Sequence, residues 1–411
     1  MSEEEVVVIP KPAEVTKAKT GDREEDHFLK SGFVIPEKRI HMGDDFTKFK
    51  KSTTYLSIMG FIRTLNNSVI GLPTTTQDIH ISPAVADVLA ILDRISAIAD
   101  EVEPFPSEKN RFGNKAFRNF HEKLIHSSFE INSTLLSKYM AAVFGPDGKP
   151  LPSETTEPIV RAASEEIGPY LLDSFGNPVR LDYGTGHELH FVMYLYCLRA
   201  IGVLRQCDHQ AMVLRIFVKY IDLCRKIRSR YNQEPAGSHG VWSLDDYNFI
   251  PYIWGSAQLI NHPNILPDSV LDPLLVEQYK NEYMYLNCIA YTCSVKTGPF
   301  FEHSPDLYNI SAAASWKKIN GGMHKKYEVD VLSKWPVIQH FLFGSIIPCT
   351  WESTPVPPSK PANAYAGNVN LAEDAIFAHR DREASIMKRQ LDTKSGGTQN
   401  YTPPELPPKI K

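Results

Sequence analysis

The sequence predicts an all-helical fold, built as one irregular multi-helix domain between two unfolded tails. Apolar residues recur at helical spacing through most of the chain. No convincing series of strand, turn and strand interrupts them, and no repeat of fixed period is visible. With 411 residues, 42% of them hydrophobic, the chain is long enough to bury a large core.

We expect three regions along the chain. Residues 1–27 are rich in Glu, Lys and Pro, and residues 351–411 combine prolines and polar residues with few aromatic ones. Neither region can bury enough apolar surface to offset the entropy lost on folding. Both are therefore predicted to be disordered tails, with a docking motif for a partner as the alternative. The helical domain is expected to occupy residues 28–350.

Six amphipathic stretches predict the helices of this domain. In chain order they are residues 44–65, 82–102, 114–144, 210–231, 274–295 and 323–344, with a loop predicted at 145–158. In the second stretch Ser82 is expected to cap the helix and Pro83 to take its first position. The fourth ends in a cluster of four cations, Arg225, Lys226, Arg228 and Arg230. We expect this cluster to be a solvated helix end, because cations complement the helix dipole there.

Charge and cysteine content limit the class of protein. A net charge of -4 gives no overall basic field, so nucleic acid is not expected as the main partner. The six cysteines include no C-x-x-C pair, and we expect reduced core thiols of an intracellular protein. The acidic N-terminus is unlike a signal peptide, and no apolar run has the length of a membrane span. We therefore expect no membrane association and a cytoplasmic location, with the nucleus as a further compartment.

The stretch RLDYGTGHELHF, residues 180–191, places a Gly-Thr-Gly turn before a helix expected to begin near His187 or Glu188. The N–H groups and the positive dipole end of a helix N-terminus form an anion site, which glycines allow a phosphate to approach. Arg180 can add a planar fork of donors. The stretch lacks both common nucleotide motifs, the P-loop and the strand-borne G-x-G-x-x-G. A phosphate-binding loop and a simple helix-capping turn therefore both stay open.

A second stretch, residues 234–259, joins small residues around Gly240 to paired carboxylates at Asp245 and Asp246, and then to a dense aromatic series. Oxygen ligands near a phosphate suit Mg²⁺, which takes one or two carboxylates and keeps several waters. The plainer alternative is an acidic helix start whose aromatic residues fill the core. Another is an aromatic groove against which a proline-containing peptide stacks.

A third stretch, residues 296–311, has a Gly-Pro turn followed by Glu302 and His303. An acid and a histidine on one loop are typical of functional loops. An ordinary helix cap is the alternative for this pair.

These three stretches, with RFGNKAFRNFHEKL at 111–124 and WPVIQHFLFGSIIP at 335–348, resemble the phosphotyrosyl phosphatase activator family, also called the protein phosphatase 2A activators. The resemblance covers residues 28–350, and the run GVWSLDDYNFIPYIWGSAQLINHP makes it specific. The long C-terminal tail is similar to those of fungal members. The resemblance implies an all-helical protein with a core, a linker and a lid around a deep cleft.

The resemblance also implies ligands and partners. Members bind Mg-ATP in the cleft, so ATP and Mg²⁺ are the expected cofactors. They associate with the catalytic and scaffold subunits of protein phosphatase 2A and help bring the catalytic subunit to its active, metal-loaded state. A peptidyl-prolyl cis-trans isomerase activity is also attributed to the family, which implies a proline-containing peptide segment as ligand and a peptide-induced homodimer as an assembly.

Site residues carried over by motif fall into three groups. The nucleotide-binding residues are Arg180, Asp182, Thr185, Gly186, Glu188, Gln339, His340 and, through its main chain, Leu342. The metal residues are Gly240 and Asp246. The partner or peptide surface is Trp242, Glu302 and His303.

Two classes of function stay open for such a protein. The first is a binding module or chaperone that uses nucleotide to shape a surface for the phosphatase. The second is an isomerase, which needs only to desolvate and stabilise a twisted amide, without a nucleophile or base. No catalytic residue is therefore predicted. A helical scaffold without a ligand is the plainest alternative.

Overall fold

The computed structural model describes residues 32–106, 112–143, 153–237 and 243–354. These residues fold as helices joined by short turns and irregular segments, so the predicted all-helical, irregular fold is confirmed. Among the described residues, no helix is both long and apolar enough to span a membrane.

The helices differ widely in length, and two of them contain a wider π-helical turn. In chain order they are α1 (Gly43–Phe49), α2 (Thr53–Ser68), α3 (Pro83–Glu101), α4 (Ala116–Val143), α5 (Ser153–Leu172), α6 (Thr185–Ala200), α7 (His209–Ala211, a π-helical turn at Met212–Phe217, then Val218–Tyr231), α8 (Ile250–Gln258), α9 (Pro273–Tyr279), α10 (Met284–Val295), α11 (Phe300–His303), α12 (Pro305–Ile310), α13 (Trp316–Tyr327, continued by a π-helical turn at Glu328–Leu332) and α14 (Trp335–Ile338). Short 3₁₀ turns lie at Asp173–Phe175, Gln206–Asp208 and Pro267–Leu271.

Two small sheets, which the sequence did not predict, join distant parts of the chain. Strand β1 (Glu37–Lys38) runs antiparallel to β4 (Leu342–Phe343), with Lys38 opposite Leu342. Strand β2 (Asp182–Tyr183) runs parallel to β3 (Glu234–Pro235). Each strand has two residues, too few for the alternation by which a strand is recognised in a sequence.

The helix predicted at residues 82–102 is confirmed in detail. Helix α3 begins at Pro83, and the Ser82 hydroxyl accepts a hydrogen bond from the N–H of Val85 at 3.2 Å. The single helix predicted at residues 44–65 is wrong, because Ser52 ends one helix and caps the next. Its Oγ donates to the carbonyl of Phe49 at 2.7 Å and accepts from the N–H of Tyr55 at 3.1 Å.

Two further predictions of continuous helices are also wrong. Residues 274–295 form α9 and α10, and the side chain of Gln258 caps α10 by accepting the N–H of Met284 at 2.9 Å. Residues 323–344 divide into the end of α13, its π-helical turn, α14 and β4. Gln258 replaces the local helical hydrogen bonds at the start of α10, and pairing with β1 replaces them at β4.

The loop predicted at residues 145–158 is too long. Helix α5 begins at Ser153 and contains Pro158 as its sixth residue, where the proline lacks the N–H that would bond to the carbonyl of residue 154. The first part of the predicted loop lies outside the described residues.

An aromatic core packs α6, α7 and α8 together. Phe191 of α6 stacks on Tyr220 of α7 with ring centroids 3.7 Å apart. Phe217 of α7 meets Trp254 of α8 edge to face at 4.6 Å. All four side chains are buried. This packing fixes α6 and α8, whose N-terminal ends carry the candidate site, against α7.

The six cysteines are all free, in agreement with the prediction of reduced thiols. Cys197, Cys224 and Cys288 are buried core residues, whereas Cys207 and Cys293 are exposed. The prediction of core thiols is therefore wrong for these last two.

Candidate functional site

The Gly-Thr-Gly turn is a point of close backbone approach. The carbonyl of Tyr183 accepts the N–H of Ala236 at 2.8 Å, which places residue 236 against Gly184. A Cβ atom on Gly184 would lie 2.9 Å from the Ala236 carbonyl oxygen. Gly184 has extended backbone with φ of -174°, a conformation that any residue adopts. Glycine is therefore needed here because a side chain would clash with Ala236. The two stretches that the sequence singled out therefore meet at this glycine.

Helix α6 begins at Thr185, two residues before the predicted start, with Gly184 as its N-cap. The carbonyl of Gly184 accepts the N–H groups of His187 and Glu188 at 2.9 and 3.2 Å. Because glycine has no side chain, no cap hydrogen bond covers the end of the helix. Among the described residues, no group accepts the N–H of Thr185 or Gly186. These two donors and the helix dipole form the anion seat that the sequence suggested.

Arg180 lies beside this helix end and is held by Asp182. Its Nε donates to Asp182 Oδ2 at 2.8 Å, and its side chain is 44% exposed. The other carboxylate oxygen, Asp182 Oδ1, is buried without a hydrogen-bond partner among the described residues. It lies 3.9 Å from Nε2 of His187. His187 Nδ1 in turn lies 2.6 Å from the Asp173 carbonyl oxygen.

Helix α14 and strand β4 bring the C-terminal part of the predicted site to the same place. Val337 lies 3.4 Å from where a Cβ on Gly186 would be, which sets α14 against the start of α6. His340 Nδ1 lies 3.4 Å from Nζ of Lys38. Burial and the positive charges of nearby groups lower the pKa of His340 from 6.5 to about 3. Those groups are Lys38, Arg180, His187 and His190.

The electrostatics of the site follow from this convergence. Lys38 and Arg180 place positive charge beside the imidazole of His340, which adds to the effect of burial in lowering the pKa of His340. A bound anion would offset that charge and favour the protonated imidazole, because an opposite charge stabilises the charged form of a base. We call the N-terminus of α6 with Lys38, Arg180 and His340 the cationic seat.

The remaining C-terminal residues have structural contacts of their own. Gln339 is partly buried and ends α14, its N–H bonded to the Trp335 carbonyl at 3.1 Å. The main chain of Leu342 lies in β4, and its carbonyl accepts the Tyr170 hydroxyl at 3.0 Å. The Leu342 carbonyl oxygen therefore already accepts one hydrogen bond, and a ligand that donated to it would make a second.

Glu188 links the cationic seat to the second stretch. Its buried carboxylate accepts the N–H groups of Phe249 and Ile250 at 2.8 and 2.9 Å and the side-chain amide of Asn248 at 3.0 Å. It thereby caps α8 from within α6. Burial raises the pKa of Glu188 from 4.5 to about 7, although the three hydrogen bonds lower it. Glu188 shapes the site by fixing one helix to another.

The two adjacent aspartates have different surroundings. Asp245 accepts the N–H groups of Tyr247 and Asn248 at 2.8 and 2.9 Å, and its other oxygen accepts the Tyr252 hydroxyl at 2.9 Å. Both carboxylate oxygens of Asp245 therefore accept hydrogen bonds that stabilise the turn. Asp246 is 20% exposed and pairs with Nζ of Lys296 at 2.9 Å. Asp246 is therefore the better metal ligand of the two, with Lys296 as its competitor. Neither begins a helix directly, since α8 starts at Ile250.

Tyr183 and Tyr247 connect Asp246 to the cationic seat. Their ring centroids lie 6.5 Å apart, and Tyr183 directly follows Asp182 in β2 while Tyr247 directly follows Asp246.

The predicted metal residue Gly240 and the predicted surface residue Trp242 lie outside the described residues.

Glu302 and His303 lie on the short helix α11, next to the same lysine. Lys296 Nζ lies 3.4 Å from the His303 carbonyl oxygen, so the lysine that pairs with Asp246 also contacts α11. His303 Nδ1 lies 2.9 Å from the Ser304 hydroxyl. Burial and the charge of Lys296 lower the pKa of His303. Phe301 of the same helix is 53% exposed.

Arg228 is the main site residue that the sequence reasoning missed. It was expected at a solvated helix end, but it is only 4% exposed. Its guanidinium carbon lies 4.0 Å from the ring centroid of Tyr247 and 5.6 Å from that of Tyr183. Its Nη1 donates to Asn248 at 3.3 Å. The signal was present, because Arg228 follows Cys224 by four residues and so continues the apolar stripe of α7.

Two surface pockets lie elsewhere on the domain. One, of about 440 Å³, is lined by residues that include Thr74, Leu214, Arg215 and Asp222. The other shares Thr74 and Asp222 with it. Neither is lined by a predicted nucleotide residue. We place the candidate site at the cationic seat nonetheless, because it gathers charged side chains and unpaired helix donors.

Fold and site together define an all-helical protein with cationic side chains gathered at a helix N-terminus. A sequence model of the family described as "Phosphotyrosyl phosphate activator (PTPA) protein" matches residues 36–349, and the chain belongs to this family.

Relatives and a solved structure show the same similarity. The chain is 45% identical over 316 residues to "Probable serine/threonine-protein phosphatase 2A activator 1" of Dictyostelium discoideum, which covers 77% of this chain and 90% of the relative. It is 41% identical over 323 residues to "Serine/threonine-protein phosphatase 2A activator 1" of Schizosaccharomyces pombe, covering 77% and 92%. A crystal structure of a PP2A phosphatase activator aligns with a TM-score of 0.65 and 32% identity, covering 77% of this chain and 95% of that one.

Proposed function

We propose that this protein activates serine/threonine protein phosphatase 2A and does so as a nucleotide-binding module. Its similarity to relatives named phosphatase 2A activators supports the first part. Nucleotide binding is supported by the cationic seat, in which Lys38, Arg180 and His340 lie around the uncapped N-terminus of α6. The expected ligand is Mg-ATP, and the expected partners are the catalytic and scaffold subunits of the phosphatase.

The donor set of the cationic seat fits the phosphates of a nucleotide. Two unpaired backbone N–H groups, at Thr185 and Gly186, lie beside a half-exposed arginine, and both kinds of donor suit phosphate oxygens. Asp182 holds Arg180 through Oδ2, and its unpartnered Oδ1 can accept a proton-bearing group of a ligand. Asp246 supplies one carboxylate, which suits Mg²⁺ in company with nucleotide phosphates.

The mechanism that follows is conformational. A bound Mg-ATP would supply negative charge to the seat, and this chain's residues would do the rest. Arg180 and the α6 donors would fix the phosphates, and the Glu188 carboxylate would transmit the position of α6 to α8. Lys296 would respond to any change at Asp246, because it contacts both that carboxylate and the His303 carbonyl. Helix α11 is thus in contact with the Asp246–Lys296 pair, at which the metal would bind.

Arg180→Ala is expected to weaken Mg-ATP binding by about 10- to 100-fold, the worth of a charge-assisted hydrogen bond. The change also leaves the Asp182 carboxylate without its cation, which adds repulsion against phosphate. Isothermal titration of the full chain measures the affinity, and activation of a phosphatase 2A core dimer measures the consequence.

Arg118→Ala is the matched control for Arg180. Arg118 is also an exposed arginine of this region, and its Nε donates to the carbonyl of Pro178 at 3.0 Å. We expect its affinity for Mg-ATP to stay within about twofold of wild type, as for most surface substitutions. Equal affinities for the Arg180 and Arg118 variants would contradict the placement of the nucleotide.

A peptidyl-prolyl cis-trans isomerase activity is the second function that we propose. An exposed aromatic pair supports it: Phe301 is 53% and Tyr308 is 41% exposed, with ring centroids 6.0 Å apart. They flank Glu302 and His303, the predicted peptide surface. Aromatic faces of this kind bind proline-containing segments. We also propose that the bound peptide joins two copies of the chain, and that the protein acts in the cytoplasm and nucleus.

Phe301→Ala is expected to lower isomerase turnover of a proline-containing peptide by about fivefold or more, because one aromatic contact is lost. Affinity for Mg-ATP should not change. Phe129→Ala is the control, since Phe129 is a 46% exposed phenylalanine on α4. A protease-coupled peptide assay measures turnover. The peptide surface would lie elsewhere if both variants kept wild-type turnover.

A further inference from the structure

A cluster of metal-ligating side chains lies apart from the cationic seat. His80, Cys207 and Asp208 each offer one ligand atom, and these three atoms lie within 4.8 Å of one another. His80 Nε2 is 3.8 Å from Asp208 Oδ1. His80 lies on the segment before α3, and the other two lie in the 3₁₀ turn before α7, so the fold brings together residues that are distant in sequence.

The Asp208 carboxylate gives an independent sign of a ligand. Asp208 is 1% exposed, and its Oδ1 has no hydrogen-bond partner among the described residues. Its Oδ2 accepts the N–H of Arg205 at 2.8 Å, which fixes the orientation of the group. An oxygen that is buried, negatively charged and unpaired is costly unless something cationic meets it. The imidazole of His80 lies on the side that this oxygen faces.

The backbone around the cluster is held in place on both sides. Arg215, in the π-helical turn of α7, donates to the carbonyls of Thr74 and Thr76. Ser82 caps α3 two residues after His80. Asp208 is fixed by the turn that it closes, its N–H bonded to the Arg205 carbonyl at 3.0 Å. The ligands therefore sit on a preorganised frame, while the exposed side chains of His80 and Cys207 can adjust.

We propose that His80, Cys207 and Asp208 form a binding site for a zinc-class divalent cation. A thiolate, an imidazole and a carboxylate are the ligand types that zinc accepts together, whereas Mg²⁺ and Ca²⁺ prefer oxygen alone. Zinc bond lengths of about 2.0–2.3 Å put tetrahedral ligand atoms roughly 3.2–3.8 Å apart. The 3.8 Å between His80 Nε2 and Asp208 Oδ1 is at the upper end of this range, and Cys207 Sγ, which lies within 4.8 Å of both atoms, would move by up to about 1 Å. Three protein ligands leave the fourth position open to water.

A neighbouring cation sets the local charge. Arg199 is close enough to interact electrostatically with Cys207 and Asp208, and its Nε donates to His209 Nε2 at 3.4 Å. With the thiolate and the carboxylate, Arg199 leaves a net charge of about -1 for the cation to meet. Binding the metal would tie the segment before α3 to the start of α7.

Cobalt titration of the reduced, metal-stripped full chain tests the proposal. We expect one equivalent of Co²⁺ to give a thiolate-to-cobalt charge-transfer band, which Zn²⁺ then displaces. Cys207→Ser should remove the band, and His80→Ala should weaken binding by about tenfold or more. Both residues are exposed, so neither variant should fail to fold. A band that survives Cys207→Ser, or no band in wild type, would overturn the site.

Controls exist within the same chain. Cys293→Ser and His126→Ala remove another exposed cysteine and another exposed histidine, and both should keep wild-type binding. Zn²⁺ should also protect Cys207 from alkylation while Cys293 stays reactive, as read by peptide mass spectrometry. Equal alkylation of both cysteines with and without Zn²⁺ would contradict the proposal. Mg-ATP affinity should be unchanged in Cys207→Ser, so this result is independent of the nucleotide site.

Discussion

Glu188→Ala is expected to lower the free energy of unfolding by about 3–5 kcal/mol at pH 7, a large part of the stability of an ordinary domain. The substitution removes the acceptor of two backbone N–H groups at the start of α8 and of the Asn248 amide. All three donors are buried and would be left unpaired. Urea unfolding followed by circular dichroism measures the loss.

Glu122→Ala is the matched control. Glu122 is also a helical glutamate, but it is exposed on α4. Its replacement should change the free energy of unfolding by no more than about 0.5 kcal/mol. If the two variants unfolded at the same urea concentration, the Glu188 carboxylate would not hold α8 to α6.

The pH dependence of this contribution has a definite sign. In the folded protein the pKa of Glu188 is raised from 4.5 to about 7, so the folded state binds this proton more tightly than the unfolded chain does. The associated stability is fully present below pH 4.5 and is lost as pH rises through about 7.

Glu188→Gln isolates this effect, because glutamine has no proton to lose. The free energy of unfolding of wild type minus that of Glu188→Gln should fall by about 3 kcal/mol across the window. A difference that is constant with pH would show that folding leaves the pKa of Glu188 unshifted, and a difference that rises would show that folding lowers it.

The sequence predicts the helical architecture well, because the signals for a helix lie in residues that are close together in the chain. The apolar stripe of α3 and its start at Ser82 and Pro83 depend on residues within a few positions of one another. The break before Met284 cannot be predicted in this way, because α10 is capped by Gln258, which lies 26 residues earlier in the chain. The break at Ser52 is local, since its hydroxyl bonds to Phe49 and Tyr55, and a serine cap there is a signal that the sequence does contain.

The candidate site shows the same division. Arg180, Gly184 and Thr185 stand close together in sequence, so a phosphate seat could be predicted from residue types alone. Lys38 could not, since it reaches His340 across 302 residues and through a two-stranded sheet. Arg228 was misplaced because a cation at a helix end is usually solvated, whereas here aromatic rings cover it.

Gly255→Ala is expected to destabilise the protein by about 1–3 kcal/mol or more, despite the better helix propensity of alanine. Gly255 lies within α8, and a Cβ atom there would stand 2.9 Å from Tyr285 Cα and 3.0 Å from Tyr285 Cβ, closer still to the backbone nitrogen. The contact is with the backbone of α10, which cannot rotate away as a side chain can. The two helices would have to separate, and Trp254 beside it would lose its packing.

Gly60→Ala supplies the opposite sign from the same chemical change. Gly60 lies within α2, and nothing lies within 4 Å of its Cβ position. The alanine should therefore leave stability unchanged or raise it by up to about 1 kcal/mol, the propensity difference alone. Thermal and urea unfolding of both variants measure the pair. A Gly255→Ala variant that is as stable as wild type would mean that a Cβ atom fits between α8 and α10 without separating them.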